Sequence, residues 1–191
     1  TDCSVGKKYT ALAMDKAMVE RGYKSSFCAT GQTGVFISGR GVALDAVVAD
    51  FISGAAEWIS PATDDDHWQV IEGQGSLFHP SFAGVTLGLL HGSQPDAFIV
   101  CHEPTRTNMR GVQTPLPTIQ QVIDLTVQCG KLTNPDIHCI GIAVNTAAMG
   151  ESEAWGYLAK IGEEHGLPAT DPVRFGMDAI VDQVVSEYGA P

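Results

Sequence analysis

Short apolar, β-branched runs alternate with amphipathic stretches along this chain, and no other feature constrains its fold as strongly. The runs at residues 26–29, 68–71, 97–101 and 138–144 are bounded by Gly, Pro or Asp and read as strands buried in a parallel sheet. Helical periodicity covers about 7–21, 43–58, 82–91, 118–129, 152–165 and 177–188. That alternation predicts βαβ crossovers and an α/β fold, a mostly parallel sheet with helices on both faces. The 191 residues, 44% of them apolar, suffice for one domain with a sizeable core, which excludes disorder. No internal repeat or Ser/Pro-rich linker divides the chain. Two stretches are expected to be long functional loops: 31–41, with four glycines, and 103–117, with three prolines and two arginines.

The charge balance narrows the partners. Eleven Lys and Arg against 22 Asp and Glu leave a formal charge of -11, which repels phosphate backbones and anionic lipid, so neither nucleic acid nor a membrane is an expected partner. The longest apolar runs fall far short of the roughly 20 residues that span a bilayer, and no charged-then-apolar leader opens the sequence. Charged residues make up 17%, below the roughly 25% usual for soluble domains, so part of the surface is expected to be covered, as in a homo-oligomer or beside another domain. Cys3, Cys28, Cys101, Cys129 and Cys139 are odd in number and lack any C-x-x-C pair, which argues against a disulfide framework or structural zinc and for a reducing cytoplasm. His67, His79 and His91 show no tight ligand spacing, and no metal site is expected.

The segment Thr1-Asp2-Cys3-Ser4-Val5-Gly6-Lys7-Lys8, running on into Tyr9, carries the most chemistry. Gly6-Lys7 opens an amphipathic helix whose first free N–H groups can cradle an anion, with Lys7 supplying a point charge. The strict G-x-x-x-x-G-K-[ST] pattern fails here twice, at Thr1 and at Lys8. The first departure is mild, because a loop one residue longer would place its glycine just upstream of Thr1. The second matters chemically, because the hydroxyl after the lysine holds the magnesium of a bound nucleotide and an ammonium cannot. Thr10 is no easy substitute, since two residues turn a helical side chain by about 200°. The expectation is a loop that grips phosphate or pyrophosphate and is poorly equipped for magnesium-dependent cleavage. Read as a plain helix start, its basic first turn would oppose the helix dipole. A strand ordinarily leads into such a loop, so the first strand is expected upstream of Thr1, in a longer polypeptide.

The run T-D-C-S-V-G-K is similar to the phosphate loop of dethiobiotin synthetase, and Glu72-Gly73-Gln74-Gly75 resembles that enzyme's acidic strand end. A closer match covers nearly the whole chain. The first ten residues, Ala46-Val47-Val48-Ala49-Asp50-Phe51, Glu72-Gly73-Gln74-Gly75-Ser76-Leu77, His79-Pro80, Leu89-Leu90-His91-Gly92-Ser93-Gln94-Pro95-Asp96 and Cys101-His102-Glu103-Pro104 resemble the P-loop domain of the D-glutamate N-acetyltransferase family. The resemblance implies that residues 1–191 form a P-loop NTPase-like domain, the C-terminal part of a chain with an N-terminal Rossmann-like domain. It further implies acetyl transfer from acetyl-CoA to the amine of D-glutamate or a similar acidic amino acid. Lys8 suits that reading, because coenzyme A must be gripped and never hydrolysed. The alternatives are an ATP-dependent ligase or kinase resembling dethiobiotin synthetase, with Asp2 or Glu72 recruiting magnesium, or a nucleotide-binding domain without chemistry.

Glu72 follows a strand, at the edge where open α/β sheets form their ligand crevice, and is the candidate general base; a loop-holding carboxylate is the alternative. His102 ends another strand and is a candidate second acid or base, with Glu103 beside it. Arg40, Arg106 and Arg110 lie in loops at the same edge and are candidate clamps for substrate carboxylates. His79 is a candidate for capping or substrate hydrogen bonding. Asn145 is similar to an adenine-reading asparagine of dethiobiotin-synthetase-like proteins, with an ordinary turn as the alternative. Lys7 is expected to lower the pKa of Cys3.

Overall fold

The structure is a computed structural model that describes residues 1–190. It confirms a parallel α/β architecture. Helix α1 (Lys7–Glu20) leads to β1 (Lys24–Cys28), α2 (Gln32–Ser38), α3 (Ile52–Ile59), β2 (His67–Ile71), α4 (Ala83–Ser93), β3 (Ala97–His102), α5 (Ile119–Gly130), β4 (His138–Val144), α6 (Glu151–His165), β5 (Ala169–Thr170) and α7 (Asp178–Tyr188). Strand β1 pairs in parallel with β2, from Lys24 opposite His67 to Cys28 opposite Ile71. Strands β3, β4 and β5 form a second parallel sheet in that order, with a register shift between Phe98 and Ile99.

Alternating strand side chains divide the core into two layers. On one face Met14 and Met18 of α1 meet Ile180, Val181 and Val184 of α7 and reach Trp68, Val70 and Ile99. On the other, Ile119 of α5 and Leu158 and Ile161 of α6 cover Val100, Ile142 and Val144, while Ala56 of α3 and Leu89 of α4 pack over Ile71. Burying each large aliphatic side chain contributes about 1.5–3 kcal/mol. Helix α5 begins where its sequence signal stands: the Thr118 hydroxyl accepts from the Gln121 N–H, and the Gln121 side chain accepts from the Thr118 N–H.

Helices α3 and α4 touch through glycine. A Cβ at Gly92 would overlap the Ser53 carbonyl oxygen, one at Gly88 would overlap Ile52, and the Ser53 hydroxyl donates to the Gly88 carbonyl at 3.0 Å. Gly92→Ala is expected to force the helices apart and destabilise the fold by about 3 kcal/mol, read as a fall in the urea midpoint with the m-value unchanged.

Two sequence expectations are corrected. Residues 31–41 are not an irregular loop; they hold α2, closed by Gly39 at φ 73. The stretch 43–58 is not one helix. It makes 3-10 turns at Leu44–Ala46 and Ala49–Phe51 before α3, because Val47 and Val48 take extended backbone angles between them. The two-residue β5 is too short to show a sequence period.

Strands β2 and β3 are not paired with each other. Their facing edges border a slot of about 610 Å³, lined by all of β2, by residues 97–101 of β3 and by side chains from α1, α4, α5 and α7. Thr1 lies buried beside this slot, its α-amine donating to the Cys101 carbonyl and its own carbonyl accepting from the Ser76 hydroxyl at 3.1 Å. Among the described residues, no helix is long and apolar enough to cross a membrane.

Candidate active site

The carboxyl ends of the strands gather most of the chemistry at one edge, as doubly wound sheets do. The loop ahead of α1 turns through left-handed conformations at Ser4 (φ 55) and Gly6 (φ 107). Gly6 caps α1 without a side-chain acceptor, and the first turn carries no acidic residue. Successive amides in such a turn form a concave nest for an anion. Lys7 donates to the Asp2 carbonyl at 2.6 Å and packs over Gly73, where a Cβ would stand 3.1 Å from its Cδ. Burial lowers the Lys7 pKa, so its charge is held in a site that does not yet compensate it.

Glu72 stands beside this lysine at the end of β2. Its Oε2 accepts from the Thr30 N–H at 3.1 Å and the Gly31 N–H at 3.2 Å, at the start of α2. Oε1 makes no hydrogen bond within the described residues. Thr30 closes the arrangement by donating to the Glu72 carbonyl at 2.7 Å and accepting from Gln74 at 3.1 Å. The carboxylate fits only because residue 34 is glycine: a Cβ there would overlap Oε2. Burial raises the Glu72 pKa, partly offset by the Thr30 and Gly31 amides and by the charges of Lys8 and Lys7. The loop-holding and proton-accepting readings of Glu72 thus fall on different oxygens of one carboxylate.

His102 ends β3, with Nδ1 3.1 Å from the Thr1 hydroxyl and its ring stacked 6.4 Å from Tyr157. Burial lowers its pKa, so the ring is neutral near pH 7. Asn145 stands beside it, donating its N–H to the His102 carbonyl at 2.8 Å, but its side-chain oxygen accepts from Ala147 in a local turn.

Several candidates sit elsewhere or are already engaged. The Arg106 guanidinium binds buried Asp2 at 2.7 Å and so grips the phosphate loop, whereas the exposed Arg110 guanidinium makes no hydrogen bond within the described residues. Arg40 lines a second cavity of about 420 Å³ with Trp58, Ser26 and Gln69, which borders the slot at His67 and Gln69. Ser26 and Gln69 face away from Phe27 and Val70, which α1 covers, so Arg40 does not join the Lys7–Glu72 group. Tyr9 is 60% exposed, with the Lys8 ammonium 5.1 Å from its ring centroid.

The Cys3 expectation is reversed: burial and then the Asp2 charge raise its pKa, outweighing Lys7. Asp2, Cys3 and His79 bring ligand atoms within 4.8 Å of one another. His79 has no lone pair to spare, since Nδ1 accepts from the Ser81 N–H at 3.1 Å, leaving Nε2–H to donate to the Arg110 carbonyl at 2.8 Å. One buried group escaped the sequence reading. Asp171 accepts from the Thr146 N–H and hydroxyl, and Arg174 donates to the Thr146 and Met149 carbonyls, bracing the loop after β4. Only the strand-end position of Thr146 could have signalled it.

A parallel sheet, an uncapped helix start with a buried lysine and an acidic strand end beside it define a P-loop α/β domain. Residues 1–181 match the family model described as the P-loop domain of DUF1611, a domain of unknown function. The chain belongs to that family. It is 54% identical over 187 residues to D-glutamate N-acetyltransferase of Tritonibacter scottomollicae, covering 97% of this chain and 56% of that protein. It is 53% identical over 182 residues to D-glutamate N-acetyltransferase of Pseudoalteromonas sp, covering 95% and 55%. A crystal structure of a DUF1611 family protein from Anabaena variabilis superposes with a TM-score of 0.92 at 40% identity, covering 97% of this chain and 55% of that one. The chain therefore spans about half the length of the curated relatives it matches.

Proposed function

We propose that this domain serves an N-acetyltransferase that moves an acetyl group from acetyl-CoA to the amine of D-glutamate or a similar acidic amino acid. The observation that carries the reading is Glu72 with one oxygen tied to backbone amides and the other unbonded, beside Lys7 at the phosphate loop. Acetyl-CoA supplies the thioester, and the diphosphate of its coenzyme A part suits the nest and Lys7. Glu72 Oε1 accepts a proton from the substrate ammonium; the freed amine attacks the acetyl carbonyl, the C–S bond breaks, and the nitrogen's second proton passes to the departing sulfur, giving amide and free thiol. His102, neutral, is the second group able to carry a proton there. Arg110, and not Arg106, has a guanidinium available for a substrate carboxylate. Lys8 favours this reading over ATP with magnesium, because it replaces the hydroxyl that would hold the metal.

The reading includes a longer polypeptide. A parallel strand from residues preceding Thr1 would fill the slot between β2 and β3. An N-terminal Rossmann-like domain precedes that strand. Phe36, Phe51 and Trp58 stand 90%, 67% and 71% exposed, which supports coverage by that domain or by another copy in a cytoplasmic homo-oligomer.

The complete polypeptide given acetyl-CoA and D-glutamate should release free thiol. Phosphate release from ATP with magnesium, and no thiol, would replace this reading with the ligase or kinase one.

A further inference from the structure

The 103–117 loop after β3 is fastened to the phosphate loop at one buried carboxylate. Asp2 Oδ2 accepts from the Arg106 guanidinium at 2.7 Å and from the Arg110 main-chain N–H at 2.7 Å, while Asp2 Oδ1 is buried without a partner. Burial pushes this carboxyl up, but the Arg110 amide, the Arg106 guanidinium and the Cys3 amide outweigh it and hold Asp2 below the ordinary carboxylate value. The same guanidinium donates to the Cys3 carbonyl at 2.8 Å and to the Ser4 carbonyl at 3.4 Å, and its Nε lies 3.5 Å from Glu103. His79 adds a second tie through the Arg110 carbonyl.

This wiring sets the direction of the loop amides. In a trans peptide the N–H points opposite the carbonyl. Turning the Cys3 and Ser4 carbonyls onto Arg106 therefore aims the Ser4 and Val5 N–H groups the other way, and neither has a partner among the described residues. Arg106 sits behind the nest, where an anion in front would not touch it.

We propose that Arg106, acting through Asp2 and the Cys3 and Ser4 carbonyls, is a positioning residue that presets the phosphate loop for a diphosphate and couples its occupancy to ordering of the 103–117 loop. The inference rests on the diphosphate part of the proposed function.

The test uses the complete polypeptide, with coenzyme A and inorganic pyrophosphate as separate probes in calorimetry and in hydrogen exchange of residues 103–117. Wild type should bind, and binding should slow exchange in that loop. Arg106→Gln should weaken binding at least about tenfold and abolish the slowing. Arg106→Lys can meet Asp2 but cannot fork onto two carbonyls, so it should recover the melting temperature more fully than the affinity. A purely structural role predicts a lower melting temperature with unchanged affinity in the folded protein. Affinity within about twofold of wild type in both variants, or unchanged loop exchange in liganded wild type, overturns the proposal. If wild type binds pyrophosphate but not coenzyme A, the acyl-transfer reading fails and Arg106 is decided on pyrophosphate. If it binds neither, both fall.

Discussion

Glu72→Gln is expected to lower kcat for acetyl transfer by about two to four orders of magnitude while leaving coenzyme A affinity within about twofold. The substitution is close to isosteric. A glutamine carbonyl oxygen can still accept from the Thr30 and Gly31 amides, so α2 keeps its start, and only the unbonded oxygen is exchanged for an amide that cannot take a proton. The pH profile supplies a second check. A base works deprotonated, so kcat/KM should rise with pH through the pKa of Glu72. Burial raises that pKa, so the limb should lie above the ordinary glutamate value in wild type and vanish in Glu72→Gln. Wild-type turnover in Glu72→Gln would return Glu72 to the role of a loop fastener and leave His102 as the proton acceptor.

Lys7→Ala is expected to weaken coenzyme A binding between about tenfold and a hundredfold without lowering the melting temperature. Most buried groups lose stability on truncation, and this one differs for an electrostatic reason. Burial lowers the Lys7 pKa, so folding disfavours its charged form, and that penalty is present in full below the folded pKa. A bound diphosphate reverses the imbalance. The lysine is therefore retained at some expense to the empty fold, a common trade at binding sites. Calorimetry paired with thermal melts on the same samples checks both halves. A lower melting temperature with unaltered affinity would mean that Lys7 only ties the loop through the Asp2 carbonyl.

The sheet was legible because its strands are short apolar runs, so residues 97–101 and 138–144 carry a signal in composition alone. The periodicity of 118–129 placed α5, whose start the structure shows to rest on a local capping box of Thr118 with Gln121 that needs no distant partner. Helix α2 was hidden because glycines flank it, and Gly34 inside it answers to Glu72, which is 38 positions away. Strand ends indicated that Arg40 would lie near an edge, but not on which face of the sheet. Arg106 was assigned outward to a substrate because its partner, Asp2, is 104 residues distant and nothing near either residue encodes the pair. The Cys3 expectation failed because burial, the largest cause, and the Asp2 charge outweigh Lys7, and neither effect shows in the sequence spacing.

The slot between β2 and β3 bears on how the protein is made. A strand supplied from ahead of Thr1 would leave the ribosome before either neighbour, and its second neighbour would not be complete until about a hundred residues later. At about 5–20 residues per second that is roughly 5–20 s before both of its edges can be paired. That strand would be translated first, yet it would gain its second neighbour only when β3 is complete, before β4 and β5 extend the sheet.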